Sequence, residues 1–186
     1  MNFFNFVELS HFLIENYLKK ESIVLDCTSG NGFDSLYLCN TLQGKGFLFS
    51  FDIQEEAIKR TRKLLDEKCS YSNYKLIQDS HSNINQYISD KIDFAIYNLG
   101  YLPNSPSNIK TDPKETIISL EKVLKLLSKK GITVIVAYTG QDESKERNEI
   151  FKYLEKIDPK KFSIMNLKLI NVNNYPPEVF IIQKNA

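Results

Sequence analysis

Apolar residues along this chain switch repeatedly between two spacings. Short continuous runs rich in β-branched and aromatic residues alternate with stretches where apolar side chains recur every three or four positions. The first spacing predicts strands covered on both faces; the second predicts helices packed on one side. Residues 6–19 read as a helix, with Leu9, Phe12, Leu13 and Tyr17 in step behind the loose capping box Asn5-x-x-Glu8. SIVLDC follows as a strand ending in Asp26, then the glycine-bearing turn TSGNG and a helix over Phe33–Asn40. The alternation continues. GFLFSFD predicts a strand ending in Asp52, QEEAIKRTRKLLDEK a helix, NYKLIQD a strand ending in Asp79, and SHSNINQYI a short helix. KIDFAIYNLG predicts a strand ending in Asn98, and YLPNSPSNIKT a Pro/Ser/Asn-rich loop. Asp112, Pro113 and Glu115 mark the start of a helix with Ile117, Leu120, Leu124 and Leu127 on one face. ITVIVAY is a strand, and residues 143–156 form a helix with Ile150, Leu154 and Ile157 in register. The chain closes on two strand-like runs, KFSIMNLKLI and VFIIQK, joined by NVNNYPPE.

Strand–helix alternation implies right-handed crossovers and a parallel sheet. Two closing strands with no helix between them imply a hairpin at its edge. The expected architecture is therefore α/β and Rossmann-like: a seven-stranded, mostly parallel sheet with an antiparallel edge hairpin and helices on both faces, in one domain over residues 1–186. This layout resembles that of class I methyltransferases more than the plain dinucleotide-binding fold. With 42% hydrophobic and 25% charged residues, the composition excludes a disordered chain. A net charge of +1 gives no global field for nucleic acid, so an RNA partner would need a local basic patch. Lys110, Lys114, Lys129, Lys130, Lys160 and Lys161 are the candidates, against the ordinary reading of solvated helix faces. Cys27, Cys39 and Cys69 form no CxxC pair and have no histidine cluster beside them, so neither a disulfide framework nor a metal is expected. No apolar run reaches the roughly 18 residues of a membrane span, and a cytoplasmic location is expected.

In an open α/β sheet, ligands gather at the carboxyl ends of the strands. Asp26, Asp52, Asp79 and Asn98 fall at those ends. Gly30, Asn31 and Gly32 form the first loop, where two residues without a Cβ let the backbone turn tightly and approach a ligand; a generic strand–helix turn would need the same glycines. A dinucleotide fingerprint requires a third glycine, but this chain has Ser35 there, and Asp34 stands where a pyrophosphate would approach. That acidity suits the sulfonium and ammonium of S-adenosylmethionine. Asp52 is placed to accept both ribose hydroxyls, with Ile53 and Gln54 flanking the nucleoside; the lesser alternative is a cap for the following helix. Asp79 could accept from the adenine amine or act as a cap, with Ser80 and His81 beside it. Asn98 opens Asn-Leu-Gly-Tyr-Leu-Pro, where amine methylases of this fold carry an Asn-Pro-Pro-Tyr type motif. An Asn oxygen there can accept from a target amine and aim its lone pair, while Tyr101 stacks on a flat base.

The runs DCTSGNGFDSLYL, FDIQEEAI, DSH, NLGYLP, TDPKETI and a late NVNNYPP together resemble the small bacterial methyltransferases once labelled putative rRNA methylases. That family is associated with the amine of 5-aminomethyl-2-thiouridine at the tRNA wobble position. The resemblance implies S-adenosylmethionine as cofactor, held by Asp26, Gly30, Asn31, Gly32, Asp34, Asp52, Ile53, Gln54, Asp79, Ser80 and His81. It implies Asn98 and Tyr101 as catalytic residues, and Tyr101, Leu102 and Tyr138 against the substrate. The implied partner is the anticodon region of tRNA; the small size of the chain separately suggests a homodimer, across which tRNA could span two subunits. Two departures stand out. Phe33 replaces a polar residue, and Tyr138-Thr139-Gly140-Gln141 replaces the family's Tyr-His-Gly-His. They put in doubt any role those histidines serve, and leave His81 or Asp34 to be weighed as proton acceptor. The rival readings are a methyltransferase of rRNA or of a small amine, an NAD-dependent oxidoreductase, and a non-catalytic RNA-binding module.

Overall fold

The computed structural model describes residues 6–100, 111–138, 144–173 and 176–186. The element order is α1 (Phe6–Tyr17), β1 (Ile23–Asp26), α2 (Phe33–Leu42), β2 (Phe47–Asp52), α3 (Glu55–Lys68), β3 (Tyr74–Gln78), a 3-10 helix (His81–Gln86), β4 (Ile92–Leu99), α4 (Pro113–Leu126), β5 (Leu127–Ala137), α5 (Ser144–Leu154), β6 (Phe162–Leu167) and β7 (Glu178–Lys184). The strands form one sheet in the order β3-β2-β1-β4-β5-β7-β6. β7 runs antiparallel to both β5 and β6, and the other pairs are parallel. The expected edge hairpin is therefore present, with β7 inserted between β5 and β6.

Alternation along each strand divides the core in two. Val24, Phe94, Ile96 and Val134 point to the layer that holds Leu9 and Ile14 of α1 and Leu38 and Leu42 of α2. Leu25, Ala95, Tyr97 and Ile135 point to the layer that holds Ile84 of the 3-10 helix, Leu120 and Leu124 of α4 and Ile150 of α5. With helices on both faces, β4 is buried at six of its eight positions, which explains its apolar run Phe94–Tyr97, and its two polar residues, Asp93 and Asn98, take the two less buried positions.

The helix boundaries follow local chemistry. Asp112 caps α4 by accepting from Lys114 N at 2.9 Å, and Pro113 stands in the first turn. α4 stops one residue earlier than its apolar stripe suggests. Leu127 is buried as the first residue of β5, paired with Ile92, rather than as the last helical position. Register then shifts between Ile92 and Phe94. Asp93 holds the irregularity together, accepting from Ile23 N at 3.1 Å and Ser128 Oγ at 2.6 Å. The face of α1 also differs from expectation. Phe6, Leu9, Leu13 and Ile14 are buried, whereas Phe12 and Tyr17 are exposed.

Candidate active site

β1 lies between β2 and β4, so the chain leaves it in opposite directions and opens a crevice at the carboxyl ends of the strands. Asp26 closes β1 at the floor of that crevice and is only 1% exposed. One carboxylate oxygen accepts from Thr28 N at 3.1 Å and the other from Ser35 Oγ at 2.6 Å. Ser35 Oγ is also 2.7 Å from Ser50 Oγ on β2. Burial, with the Asp34 and Asp52 carboxylates nearby, pushes the Asp26 pKa up to about 7. Both oxygens hold the loop, and at 1% exposure Asp26 shapes the crevice from beneath it. Ser35, read from sequence only as a missing glycine, supplies the hydroxyl that satisfies this buried acid.

Gly32 answers to the fold as well. Its φ is +85°, and a Cβ there would lie 2.8 Å from the Thr61 Cα of α3. The bare Cα is demanded by the neighbouring helix, whatever the ligand. Gly30, at φ 52°, donates its N–H to Asp52 at 3.0 Å. Asn31 accepts from Arg60 Nη1 at 3.1 Å, which ties the loop to α3.

Asp52 ends β2 half-buried. It accepts from Gly30 N and from Gln54 N, each at 3.0 Å, and burial raises its pKa. A carboxylate offers roughly four lone-pair positions, so Asp52 keeps capacity for a ligand hydroxyl. Ile53 is half exposed beside it, and Gln54 is the N-cap residue of α3. Asp79 is more committed. It accepts from Ser80 N at 2.7 Å, Asn83 Nδ2 at 2.9 Å and Tyr87 OH at 2.8 Å, and its pKa is lowered, chiefly by Asn83. Ser80 is the N-cap of the 3-10 helix, accepting from Ser82 N at 3.2 Å and donating to Glu115 at 3.1 Å.

His81 is buried, and its Nδ1 has no hydrogen-bond partner among the described residues. Burial holds its pKa down at about 4. A buried, weakly basic ring is a poor acceptor for the proton of an alkylammonium, which argues against the weighed role of His81 as a general base.

Asn98, on β4, connects the crevice to two other elements. Its backbone N–H donates to Thr28 Oγ1 at 2.7 Å. Its side-chain Nδ2 donates to Asp34 in the first turn of α2. The second Asp34 oxygen lies 3.3 Å from His11 Nε2 on α1. Among the described residues, Asn98 Oδ1 accepts no hydrogen bond, so it is the free acceptor at this strand end. The residue after β4, Gly100, has φ +145°. It exchanges two bonds with Thr111, donating to Thr111 Oγ1 at 3.2 Å and accepting from Thr111 N at 3.1 Å. Glu146 on α5 braces this joint, accepting from Thr111 Oγ1 at 2.6 Å and Thr116 Oγ1 at 2.9 Å. Tyr138 is 45% exposed and packs beside Gly100. Tyr101, Leu102 and Gln141 lie outside the described residues; Phe33 is described and exposed.

Sequence reasoning missed His11, Thr111 and Glu146. Only His11 carried a signal, as one of two histidines in the chain. Three of the basic candidates, Lys129, Lys160 and Lys161, line a groove of about 700 Å³. That groove lies at the start of β5 and β6, the end of the sheet opposite the crevice. Among the described residues, no group of His, Cys, Asp or Glu could hold a metal ion, and no helix is long and apolar enough to cross a membrane.

Chemically, the crevice crowds the acids Asp26, Asp34 and Asp52, two of which hold a third group's proton affinity up. A cation relieves that crowding and a pyrophosphate worsens it, most directly at Asp34, where the α2 N-terminus would otherwise receive a phosphate. The donor set therefore fits S-adenosylmethionine and opposes a dinucleotide.

The sheet order and the site define the class I methyltransferase fold. The family model described as "Putative rRNA methylase" matches residues 48–183, and the chain belongs to that family. A "putative rRNA-methylase" crystal structure from Clostridium thermocellum is 35% identical, with a TM-score of 0.93 over 99% of this chain and 100% of that one. A "putative methyltransferase" from Streptococcus mutans, solved in complex with SAH, is 34% identical, with a TM-score of 0.88 over 96% of this chain and 97% of that one. The expected cofactor agrees with that complex. The chloroplastic tRNA (mnm(5)s(2)U34)-methyltransferase of Arabidopsis thaliana is 28% identical over 77% of this chain and 56% of the plant protein. The chain spans about half the length of the curated relatives it matches.

Proposed function

We propose that the protein methylates the side-chain amine of 5-aminomethyl-(2-thio)uridine at the tRNA wobble position, using S-adenosylmethionine. The observation that carries this reading is the Asn98 amide. Its Nδ2 is occupied by Asp34, so Oδ1 is left to accept from a ligand N–H at the mouth of the crevice. An amine bound this way keeps its lone pair free and directed, and holding it in line supplies much of the rate. The cofactor supplies an electrophilic methyl group; the amine nitrogen bonds to that carbon as its bond to sulfur breaks, and the surplus proton leaves the new ammonium for solvent. Asp52 holds the nucleoside hydroxyls of the cofactor, and Asp34 adds negative charge facing its cationic end. Tyr138, exposed beside Gly100, offers a surface to the uridine ring, and the family motif assigns Tyr101 and Leu102 to the same substrate. The Arabidopsis relative, named for this modified nucleoside, supports the choice of acceptor.

The family description supports a second reading, an rRNA acceptor. One experiment separates them. Labelled S-adenosylmethionine is supplied with tRNA, and separately with ribosomal RNA, from a strain lacking the protein, and the nucleosides are resolved by mass spectrometry. A methylaminomethyl-uridine in tRNA is the expected result. Label in rRNA alone transfers the assignment to the second reading, and failure to bind the cofactor refutes both.

A further inference from the structure

Asp34 stands between two side chains from distant parts of the sequence. One oxygen accepts from Asn98 Nδ2 on β4, and the other lies 3.3 Å from His11 Nε2 on α1. The imidazole lies flat against Tyr37 of α2, with ring centroids 3.7 Å apart and planes 7° from parallel. Tyr37 OH donates in turn to Glu15 on α1. The methyl-transfer chemistry described above uses neither His11 nor Tyr37.

An amide is nearly symmetric in shape, and a half-turn exchanges its acceptor for its donor. For binding an amine, the end that faces the crevice decides everything. A carboxylate can only accept, so Asp34 selects Nδ2 and turns Oδ1 away from itself. Asp34 needs restraint of its own, because its side chain is 14% exposed at the start of a helix. Whether as the Nε2–H tautomer or as the charged ring, His11 donates to the second oxygen and closes off that freedom. The stack on Tyr37 fixes the plane of the ring, and hence the direction of its N–H.

We propose that His11 is a positioning residue for methyl transfer: through Asp34 it fixes the Asn98 amide with Oδ1 toward the acceptor amine. The proposal rests on the reading of Asn98 as the amine-binding group.

His11→Phe keeps a ring against Tyr37 and removes the N–H, while His11→Gln restores a donor on a side chain of similar reach. For each full-length variant we would measure kcat, RNA KM, cofactor Kd by calorimetry, and the Asn98 side-chain NH2 signals in 1H–15N spectra, identified by their loss in Asn98→Ala. His11→Phe should lower kcat about 10- to 100-fold while KM and Kd stay within about twofold, and His11→Gln should recover much of the loss. The Asn98 NH2 signals should move in His11→Phe and return toward their original position in His11→Gln. Undiminished kcat in His11→Phe overturns the proposal, as does a loss that follows cofactor Kd or RNA KM. Unmoved Asn98 signals overturn it whatever the substrate is. The spectra need no substrate, so they judge His11 even where the uridine amine proves the wrong acceptor.

Discussion

Replacing His81 with Gln should change how stability depends on pH between about 4 and 7. His81 sits under α4 with its ring edge toward Tyr97, centroids 5.7 Å apart, and Glu115 is the charged group that pulls against its desolvation. Its pKa is about 4 in the folded protein, against an ordinary value of 6.5. As pH falls through 6.5, the unfolded chain takes up a proton that the folded chain refuses. Stability present above that pH is lost at about 1.4 kcal/mol per pH unit, or about 3 kcal/mol by the time pH reaches 4. Asp26 acts in the other direction. Its folded pKa is about 7 against an ordinary 3.8, so it contributes stability at low pH that is lost as pH rises through 7. That contribution is about 4 kcal/mol at its fullest. Between pH 4 and 6.5 the two slopes nearly cancel in the wild-type chain. His81→Gln leaves Asp26 unopposed, and stability should then fall as pH rises. Asp26→Asn leaves His81 unopposed, and stability should fall as pH drops. Urea melts of the cofactor-free proteins at half-unit intervals from pH 4.5 to 7 would show the difference, because other titrating groups are shared and cancel. Parallel curves for wild type and His81→Gln would refute the burial argument for both its neutral state and its exclusion as a base.

Asn98→Ala should lower kcat about 10- to 100-fold with cofactor Kd unchanged, the loss expected when a hydrogen bond that orients the acceptor is removed. Calorimetry alongside turnover checks this, and a parallel loss of cofactor affinity would place Asn98 in the cofactor site instead. Gly32→Ala forces an L residue to φ +85° and a Cβ to within 2.8 Å of the Thr61 Cα; together these should cost about 2–4 kcal/mol, read as a lowered Tm. Glu146→Ala removes the acceptor of two hydroxyls at the joint that follows β4. RNA KM should rise while cofactor Kd holds, and steady-state kinetics would show it.

The sheet was legible because strands buried on both faces have little choice of residue. IVLD, FLFSFD and IDFAIYNL carry their elements in their composition, and the lack of a helix between the last two strands located the hairpin. Errors arose where two solutions satisfy one pattern. In α1, the sequence FVELSHFLIENY offers overlapping apolar stripes. Packing chose Phe6, Leu9, Leu13 and Ile14, leaving Phe12 and Tyr17 in solvent. At Leu127 the helical period continues for one residue past the helix, and a buried leucine satisfies either element. The contact that ended α4 there comes from Asp93, which lies 35 positions earlier and binds Ser128.

The strand-end acids show why position is easier to read than role. Caps, loop ties and ligand contacts all require a carboxylate facing backbone N–H groups or hydroxyls at the end of a strand, so sequence assigns Asp26, Asp52 and Asp79 alike. What separates them is burial together with the hydrogen bonds the chain already makes. Asp79 spends three on its own helix, Asp26 is sealed off beneath Ser35, and Asp52 keeps capacity in reserve. The same accounting exposes Asn98. Its donor end is satisfied by Asp34, 64 positions away, and its acceptor end by nothing in the described chain. Asn98 Oδ1 is not among the buried unpartnered atoms of the described chain, so it stays open to solvent until a ligand N–H takes water's place. Under the proposed function that ligand is a primary amine beside a methyl donor, which turns the same bond into chemistry.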